Sequence, residues 1–75
     1  MMNNIIKLTK ETIKRFHTMA VKVVNVDDVC RTGYFIIEKD RYLLLPLDDI
    51  WRAYSYKFSH IKSIMYLTNG CELKK

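Results

Sequence analysis

The segment spanning residues 52–62 interleaves cations with aromatic rings, a combination suited to binding single-stranded nucleic acid. Cations hold phosphates while exposed rings stack on unpaired bases, and each stacked base typically contributes about 1–3 kcal/mol. The ring of Tyr56 has polar neighbours on both sides, so we expect it to be exposed. Tyr54 and Phe58 are better assigned to the core, because half of a strand faces inward. The candidate binding residues here are Arg52, Tyr56, Lys57, His60 and Lys62.

A second group of cations lies on a short amphipathic helix that we expect over residues 9–19. Thr9 is a suitable N-cap, because its hydroxyl can accept a free backbone N–H one turn further on. Glu11 then lies in the first turn, where the helix dipole favours a carboxylate. The apolar positions share one face and the cations another. The candidate binding residues on this helix are Lys10, Lys14 and Arg15.

The distribution of charge along the chain supports a polyanionic partner. Residues 1–22 carry five cations and one carboxylate, and residues 51–75 carry the same numbers, so the two ends sum to +8. Residues 23–50 carry three cations and six carboxylates, which sum to −3 and leave a net charge of +5. If both ends lie on one face of the fold, that face attracts nucleic acid or an acidic protein surface.

The residue types that enzymes and metal sites require are present but dispersed. His17, Cys30, His60 and Cys71 show no spacing typical of metal ligands. No Gly-rich phosphate loop is present, and the adjacent aspartates at 27–28 and 48–49 are typical of turns and caps. The sequence therefore predicts a protein that is not an enzyme and that needs neither a metal nor another cofactor.

Length and composition predict one small globular domain over residues 1–75. The chain is 49% hydrophobic and 28% charged, with two Gly and one Pro, which is not a disordered composition. No apolar run approaches the ~18 residues of a membrane span. The first residues lack the apolar stretch of a signal peptide, so we expect a cytoplasmic protein without a membrane partner.

Three strands are predicted after the helix. "VKVVNV" (21–26) is rich in β-branched residues, "TGYFIIE" (32–38) follows the turn at 27–28, and "RYLLLPL" (41–47) follows the turn at 39–40. Gly33 marks a place where a strand bends sharply or another backbone comes close. This part of the sequence predicts an antiparallel meander.

The segment from 50 to 67 fits two structures. Read as a helix, it carries an unbroken apolar stripe, and Asn69-Gly70 would stop it. Read as strands, "AYSYKF" alternates, and "FSHIKSIMYL" is typical of a strand, a one-turn helix and another strand. The residues of the helical stripe are Leu47, Trp51, Tyr54, Phe58, Ile61 and Met65.

Residues 9–67 resemble the Sm-like small β-barrel family. In that family a short N-terminal helix precedes a strand, a polar turn and a bent strand with a Gly, which Gly33 matches. An acidic turn and an aliphatic strand follow, matched by Asp40 and by "LLL" at 43–45, although the base-contacting Asn of the family is absent. "SYKFSHIKSIMYL" is similar to the closing part of Hfq-type proteins and of the small Rho-binding anti-terminators.

The resemblance implies a mainly β fold with one N-terminal helix, built as a five-stranded antiparallel barrel over 21–67 and followed by a C-terminal tail at 68–75. The alternative is an α+β fold with α-β-β-β-α layers.

For function, the sequence predicts a small regulator that binds nucleic acid, in the first place RNA. The alternative is a protein-interaction module, as in a phage- or mobile-element-encoded inhibitor, that binds a host machine through an edge strand or its basic helix. We expect Trp51 to anchor either the core or a partner interface. The oligomeric state stays open.

Overall fold

The structure is a computed structural model that describes residues 6–49 and 51–75. In these ranges six antiparallel strands form one sheet, and no helix is long and apolar enough to cross a bilayer. The strands are β1 (Ala20–Asn25), β2 (Cys30–Ile37), β3 (Tyr42–Pro46), β4 (Tyr54–Tyr56), β5 (Ile61–Tyr66) and β6 (Glu72–Lys74). Their order across the sheet is β4-β3-β2-β1-β5-β6. Two short 3₁₀ helices cover Thr12–Phe16 and Phe58–His60.

The predicted meander is confirmed. β1, β2 and β3 follow one another as antiparallel neighbours, with Val21 opposite Gly33 and Phe35 opposite Leu44. Alternate side chains of β1, β2 and β3 point to one face, because successive Cβ atoms alternate across a strand. That face carries the core, which the first 3₁₀ helix covers. The core residues are Leu8, Ile13, Phe16, Val21, Val23, Phe35, Leu44, Tyr56, Ile61, Ile64 and Leu73.

Gly33 lies opposite Pro46, where the backbone of β3 comes close to β2. A Cβ at this position would lie 2.2 Å from the carbonyl oxygen of Leu45 and 2.9 Å from the Cα of Pro46. The close approach of a second backbone, expected from the sequence, is therefore confirmed, and it excludes any side chain at this position.

The N-terminal helix predicted over 9–19 is wrong in its extent, since only Thr12–Phe16 is helical and the helix is of the 3₁₀ type. Thr9 does accept hydrogen bonds from the backbone N–H groups of Glu11 and Thr12. Beyond Phe16 the chain turns through Thr18, whose φ is +66°, and the N–H of Thr18 donates to the carbonyl of Phe35. Hydrogen bonds to β2 replace those that a longer helix would have made.

The segment after Asp49 adopts the extended alternative. β4 is followed by the second 3₁₀ helix and then by β5, which lies beside β1 with Val23 opposite Ile64. The continuous helix and the layered α-β-β-β-α fold are therefore wrong; Ile50, the first residue of this segment, lies outside the described residues. Trp51 lies in the β3–β4 loop with 91% of its surface exposed, so its assignment to the core is also wrong.

The sheet has six strands, where a five-stranded barrel was expected. β6 lies in the segment assigned to a C-terminal tail and pairs with β5, with Ile64 opposite Leu73. In the ranges described, no ladder joins the two edge strands β4 and β6, so the sheet is open. Asn69-Gly70, read above as a helix stop, makes the β5–β6 turn, where Gly70 has a φ of +73°.

Replacing Leu73 by alanine tests whether β6 belongs to the core. Leu73 is 5% exposed, and we expect its truncation to lower the free energy of unfolding by about 2 kcal/mol. This value is at the lower end of the range for a buried leucine, because β6 is an edge strand. Chemical denaturation monitored by circular dichroism measures this. Its neighbour Lys74 is exposed, so Lys74→Ala is the control and should change the stability by less than about 0.5 kcal/mol. Equal stability of both variants would show that the segment is a tail.

Candidate nucleic-acid interface

A groove lies at the end of the sheet where the β2–β3 turn meets the chain leaving β4. Tyr42, the first residue of β3, lies opposite Tyr56, the last residue of β4. Because the pairing is antiparallel, Arg41 before β3 and Lys57 after β4 emerge at the same end of the sheet. The meander alone therefore places two cations from distant parts of the sequence together.

This groove, called the basic groove below, has a volume of about 460 Å³. Its charged lining residues come from three segments: the N-terminal segment before the first 3₁₀ helix, the β2–β3 turn, and the β4–β5 connection. They are Lys10, Lys39, Asp40, Arg41 and Lys57. The remaining lining residues are Tyr42, Phe58 and Ser59. Four cations against one carboxylate make the groove a site for an anion.

The cations of the basic groove differ in how far they are neutralised. Arg41 donates through Nε to the Glu38 carboxylate, at 3.2 Å. In the part of the chain that the structure describes, Lys10, Lys39 and Lys57 form no ion pair. Three ammonium groups are therefore free to hold phosphates, each as a flexible point charge.

Aromatic rings connect the basic groove with the core. The buried ring of Phe35 stacks on Tyr42 at a centroid distance of 5.6 Å, and Tyr42 meets Phe58 at 6.3 Å with the planes tilted by 57°. Lys75 places its Nζ 4.1 Å from the Phe58 centroid and donates to the Phe58 carbonyl. Burial lowers the pKa of Lys75. Because this ammonium covers one face of Phe58, a base can stack only on the other face.

A second cavity lies beyond β4 from the basic groove, between β4 and the β1–β2 turn. We call it the arginine cavity; its volume is about 230 Å³. Arg31 at the start of β2 lines it, with its guanidinium carbon 3.9 Å from the Tyr54 ring centroid. The other residues that line it are Asn25, Val26, Asp27, Tyr54, Ser55, Tyr56 and His60.

Two guanidinium groups act on the Tyr54 phenol. Arg52, and after it Arg31, lowers the pKa of Tyr54, because each cation stabilises the phenolate. Conversely, the hydroxyls of Tyr56 and then Tyr54 raise the pKa of Arg31. Stacking on Tyr54 holds the Arg31 guanidinium in place beside both phenols.

Tyr56 is not the exposed platform that the sequence predicted. It is 5% exposed and belongs to the core. In β4 Tyr56 lies on the same inward face as Tyr54, and Ser55 points outward, so assigning the two rings to different faces, Tyr54 to the core and Tyr56 to the surface, was wrong. Tyr54 is half-buried on the same face, as expected for a core-facing position.

The other predicted site residues are dispersed over the surface. Lys10 and Lys57 meet in the basic groove, whereas His60 lines the arginine cavity. The rest lie outside the groove, and three of them form ion pairs: Lys14 with Glu11 (3.5 Å), Arg52 with Asp49 (3.8 Å) and Lys62 with Asp28 (2.5 Å). Arg15 is exposed on the first 3₁₀ helix.

Of the cations and rings of the groove, Lys39, Arg41 and Tyr42 were missed by reasoning from the sequence, and Phe58 was assigned to the core. The acidic balance of residues 23–50 concealed the first two, since the six carboxylates there outweigh the cations. The signal that identifies them is the meander itself, which brings the β2–β3 turn beside the end of β4.

No family model, curated protein or solved structure matches this chain. Function is therefore inferred from the geometry of the basic groove and the arginine cavity.

Proposed function

We propose that this protein binds single-stranded nucleic acid, in the first place RNA, in the basic groove, and that it acts by binding rather than by catalysis. The observation that carries the proposal is the convergence of three unpaired lysines, Lys10, Lys39 and Lys57, around the rings of Tyr42 and Phe58. Proteins that bind single strands of any sequence place cations along the phosphate backbone and aromatic rings where the bases can stack.

We also propose that the fold is a variant of the Sm-like class in which β6 is an added strand. The order β4-β3-β2-β1-β5 and the 3₁₀ helix between β4 and β5 support this assignment. β4 faces the end of β1 across the arginine cavity, an arrangement that favours barrel-like curvature. The family's base contact falls just after the acidic turn, here at Asp40, which lines the basic groove, although Leu43 and Leu44 occupy the region of the family's Asn.

Chemical-shift mapping tests the position of the proposed site. On titration of the ¹⁵N-labelled protein with a short single-stranded RNA, we expect the largest amide shifts at Lys39–Tyr42 and Lys57–Ser59, because these two segments line the groove. Shifts confined to the β5–β6 side, around Lys62 and Lys74, would place the site elsewhere.

A second candidate function, docking to a protein, is favoured by the exposed Trp51. An indole with 91% of its surface exposed is unusual, and tryptophan often dominates the energy of protein interfaces. Leu47 in the same loop is also exposed, and β4 beside it is an edge strand. The loop follows Pro46, at the end of β3 away from the basic groove, a separation of about 13 Å along a five-residue strand.

Replacing Trp51 by alanine separates the two functions. We expect the melting temperature to stay unchanged, within the ~0.5 kcal/mol typical of surface substitutions, because the indole contributes little to the core. We also expect RNA affinity to stay within about 2-fold of wild type, since the loop lies away from the groove. Thermal denaturation and RNA titration measure both. A large loss of RNA affinity would move the nucleic-acid site to this loop, and loss of a specific host protein in a pull-down would support docking.

A further inference from the structure

The hydroxyl of Tyr56 is a buried polar group. The residue is 5% exposed, and no hydrogen-bond partner for the hydroxyl occurs within residues 6–49 and 51–75. The Arg31 guanidinium lies close enough for the hydroxyl to raise its pKa, but within the described residues the two groups do not reach hydrogen-bond geometry. A buried polar atom without a partner destabilises a protein, so phenylalanine would serve the core better here.

The arginine cavity beside Tyr56 presents mainly hydrogen-bond donors. The Arg31 guanidinium is held against the Tyr54 ring, and Tyr54 and Ser55 add hydroxyl groups. Asn25 uses its Oδ1 to accept the N–H groups of Asp27 and Val29, at 2.9 and 3.0 Å, which leaves its amide nitrogen as a donor. A cavity rich in donors matches a ligand rich in acceptors.

We propose that the arginine cavity binds a phosphate group through the Arg31 guanidinium and the Tyr56 hydroxyl. A guanidinium can bind two phosphate oxygens at once, and stacking on an aromatic ring fixes the orientation in which it does so. The phosphate then supplies the hydrogen-bond partner that the Tyr56 hydroxyl lacks within the described residues. This proposal goes beyond the basic groove and does not depend on nucleic-acid binding there.

Asp27 is the carboxylate that lines the cavity and opposes an anion. It is exposed, at the rim formed by the β1–β2 turn. It should lower phosphate affinity by like-charge repulsion. Replacing Asp27 by asparagine should therefore tighten phosphate binding. A cavity that binds no phosphate would not show this increase.

Titration of the whole protein with inorganic phosphate, against chloride at matched ionic strength, tests the proposal. We expect saturable amide shifts at Asn25–Asp27, Arg31 and Tyr54–Tyr56. Tyr56→Phe should weaken phosphate binding about 10-fold while its melting temperature equals or exceeds that of wild type. Arg31→Lys, which keeps the charge but loses the planar fork, should weaken binding at least as much, and Asp27→Asn should strengthen it.

Two results would overturn the proposal: shifts in phosphate no larger than those in chloride, or equal phosphate affinity in wild type and folded Tyr56→Phe. To identify the source of the phosphate, the affinities of two RNAs of the same sequence are compared, one with and one without a 5′-phosphate. Tighter binding of the phosphorylated RNA would show that the arginine cavity holds the 5′ end of an RNA. The chain at Tyr56–Lys57 links this cavity to the basic groove. Equal binding assigns the cavity to a small phosphorylated molecule. Failure of both RNAs to bind would remove the proposed function and leave the phosphate result standing.

Discussion

Replacing Gly33 by alanine is expected to cost about 4 kcal/mol or more of folding free energy, among the largest effects of a single substitution. The new Cβ would lie 2.2 and 2.7 Å from the carbonyl oxygen and carbon of Leu45 and 2.9 Å from the Cα of Pro46. All three are backbone atoms of β3, so no side chain can rotate away, and β2 and β3 must separate. A domain of this size has about 4–11 kcal/mol of stability, so much of the variant should be unfolded.

Gly70→Ala is the matched control for this substitution. Gly70 has a φ of +73°, but a Cβ there would meet nothing within 4 Å. The expected loss is about 1 kcal/mol, the cost of a left-handed backbone for a residue with a side chain. Urea denaturation of both variants gives the comparison. A Gly33→Ala protein as stable as Gly70→Ala would show that β2 and β3 are not this close and that the sheet is curved differently.

Removing the three free lysines of the basic groove is expected to lower the affinity for single-stranded RNA about 100-fold at 0.1 M salt. Each phosphate contact on a single strand contributes about 0.7 to the slope of log K against log salt concentration. Three contacts therefore account for about two log units of affinity between 0.1 and 1 M salt. The variant is Lys10→Gln, Lys39→Gln and Lys57→Gln. All three side chains are exposed, so the fold should be retained. Fluorescence anisotropy with a labelled oligonucleotide measures the change.

A triple variant of equal charge on the β5–β6 side of the sheet is the control. Lys7→Gln, Lys62→Gln and Lys74→Gln also lowers the net charge from +5 to +2, but Lys62 and Lys74 already have carboxylate partners in Asp28 and Glu72. We expect a loss of less than about 5-fold, because only long-range attraction changes. Equal losses in the two variants would mean that net charge, and not the basic groove, governs binding.

The strands were predictable from the sequence because their signals are local. β-branched runs, the turns at 27–28 and 39–40, and the position of Gly33 all agreed with the sheet that formed. For the segment after Asp49, a helical stripe and a strand alternation were equally visible. Pairing with β3 and β1 decided between them, and such long-range pairing leaves no mark in a local pattern.

The two ends of the chain were less predictable for the same reason. The helix expected at 9–19 is cut short because Thr18 and Met19 hydrogen-bond to Phe35, which is far away in the sequence. β6 has only three residues, of which only Leu73 is buried, so the segment shows no alternation of apolar and polar residues that would predict a strand. Asn69-Gly70 was its signal, since this dipeptide is as typical of a hairpin turn as of a helix end.

The sequence predicted part of the candidate site. Lys10 and Lys57 were identified from charge and spacing, but the partners that make them a groove, Lys39 and Arg41, lie in an acidic stretch. Alternation places Tyr56 on the face of Tyr54, which was assigned to the core, but the polar neighbours of Tyr56 were taken to indicate exposure. Only the assembled sheet shows that this face is the core and that the hydroxyl has no partner among residues 6–49 and 51–75.

Titration of the unmodified protein with labelled single-stranded RNA at about 50 and 200 mM salt tests nucleic-acid recognition by the basic groove. Three to four phosphate contacts in the basic groove predict saturable binding whose affinity falls about 20- to 50-fold between the two conditions. Absence of binding at the lower salt concentration, or binding that does not weaken at the higher one, would contradict nucleic-acid recognition by the basic groove.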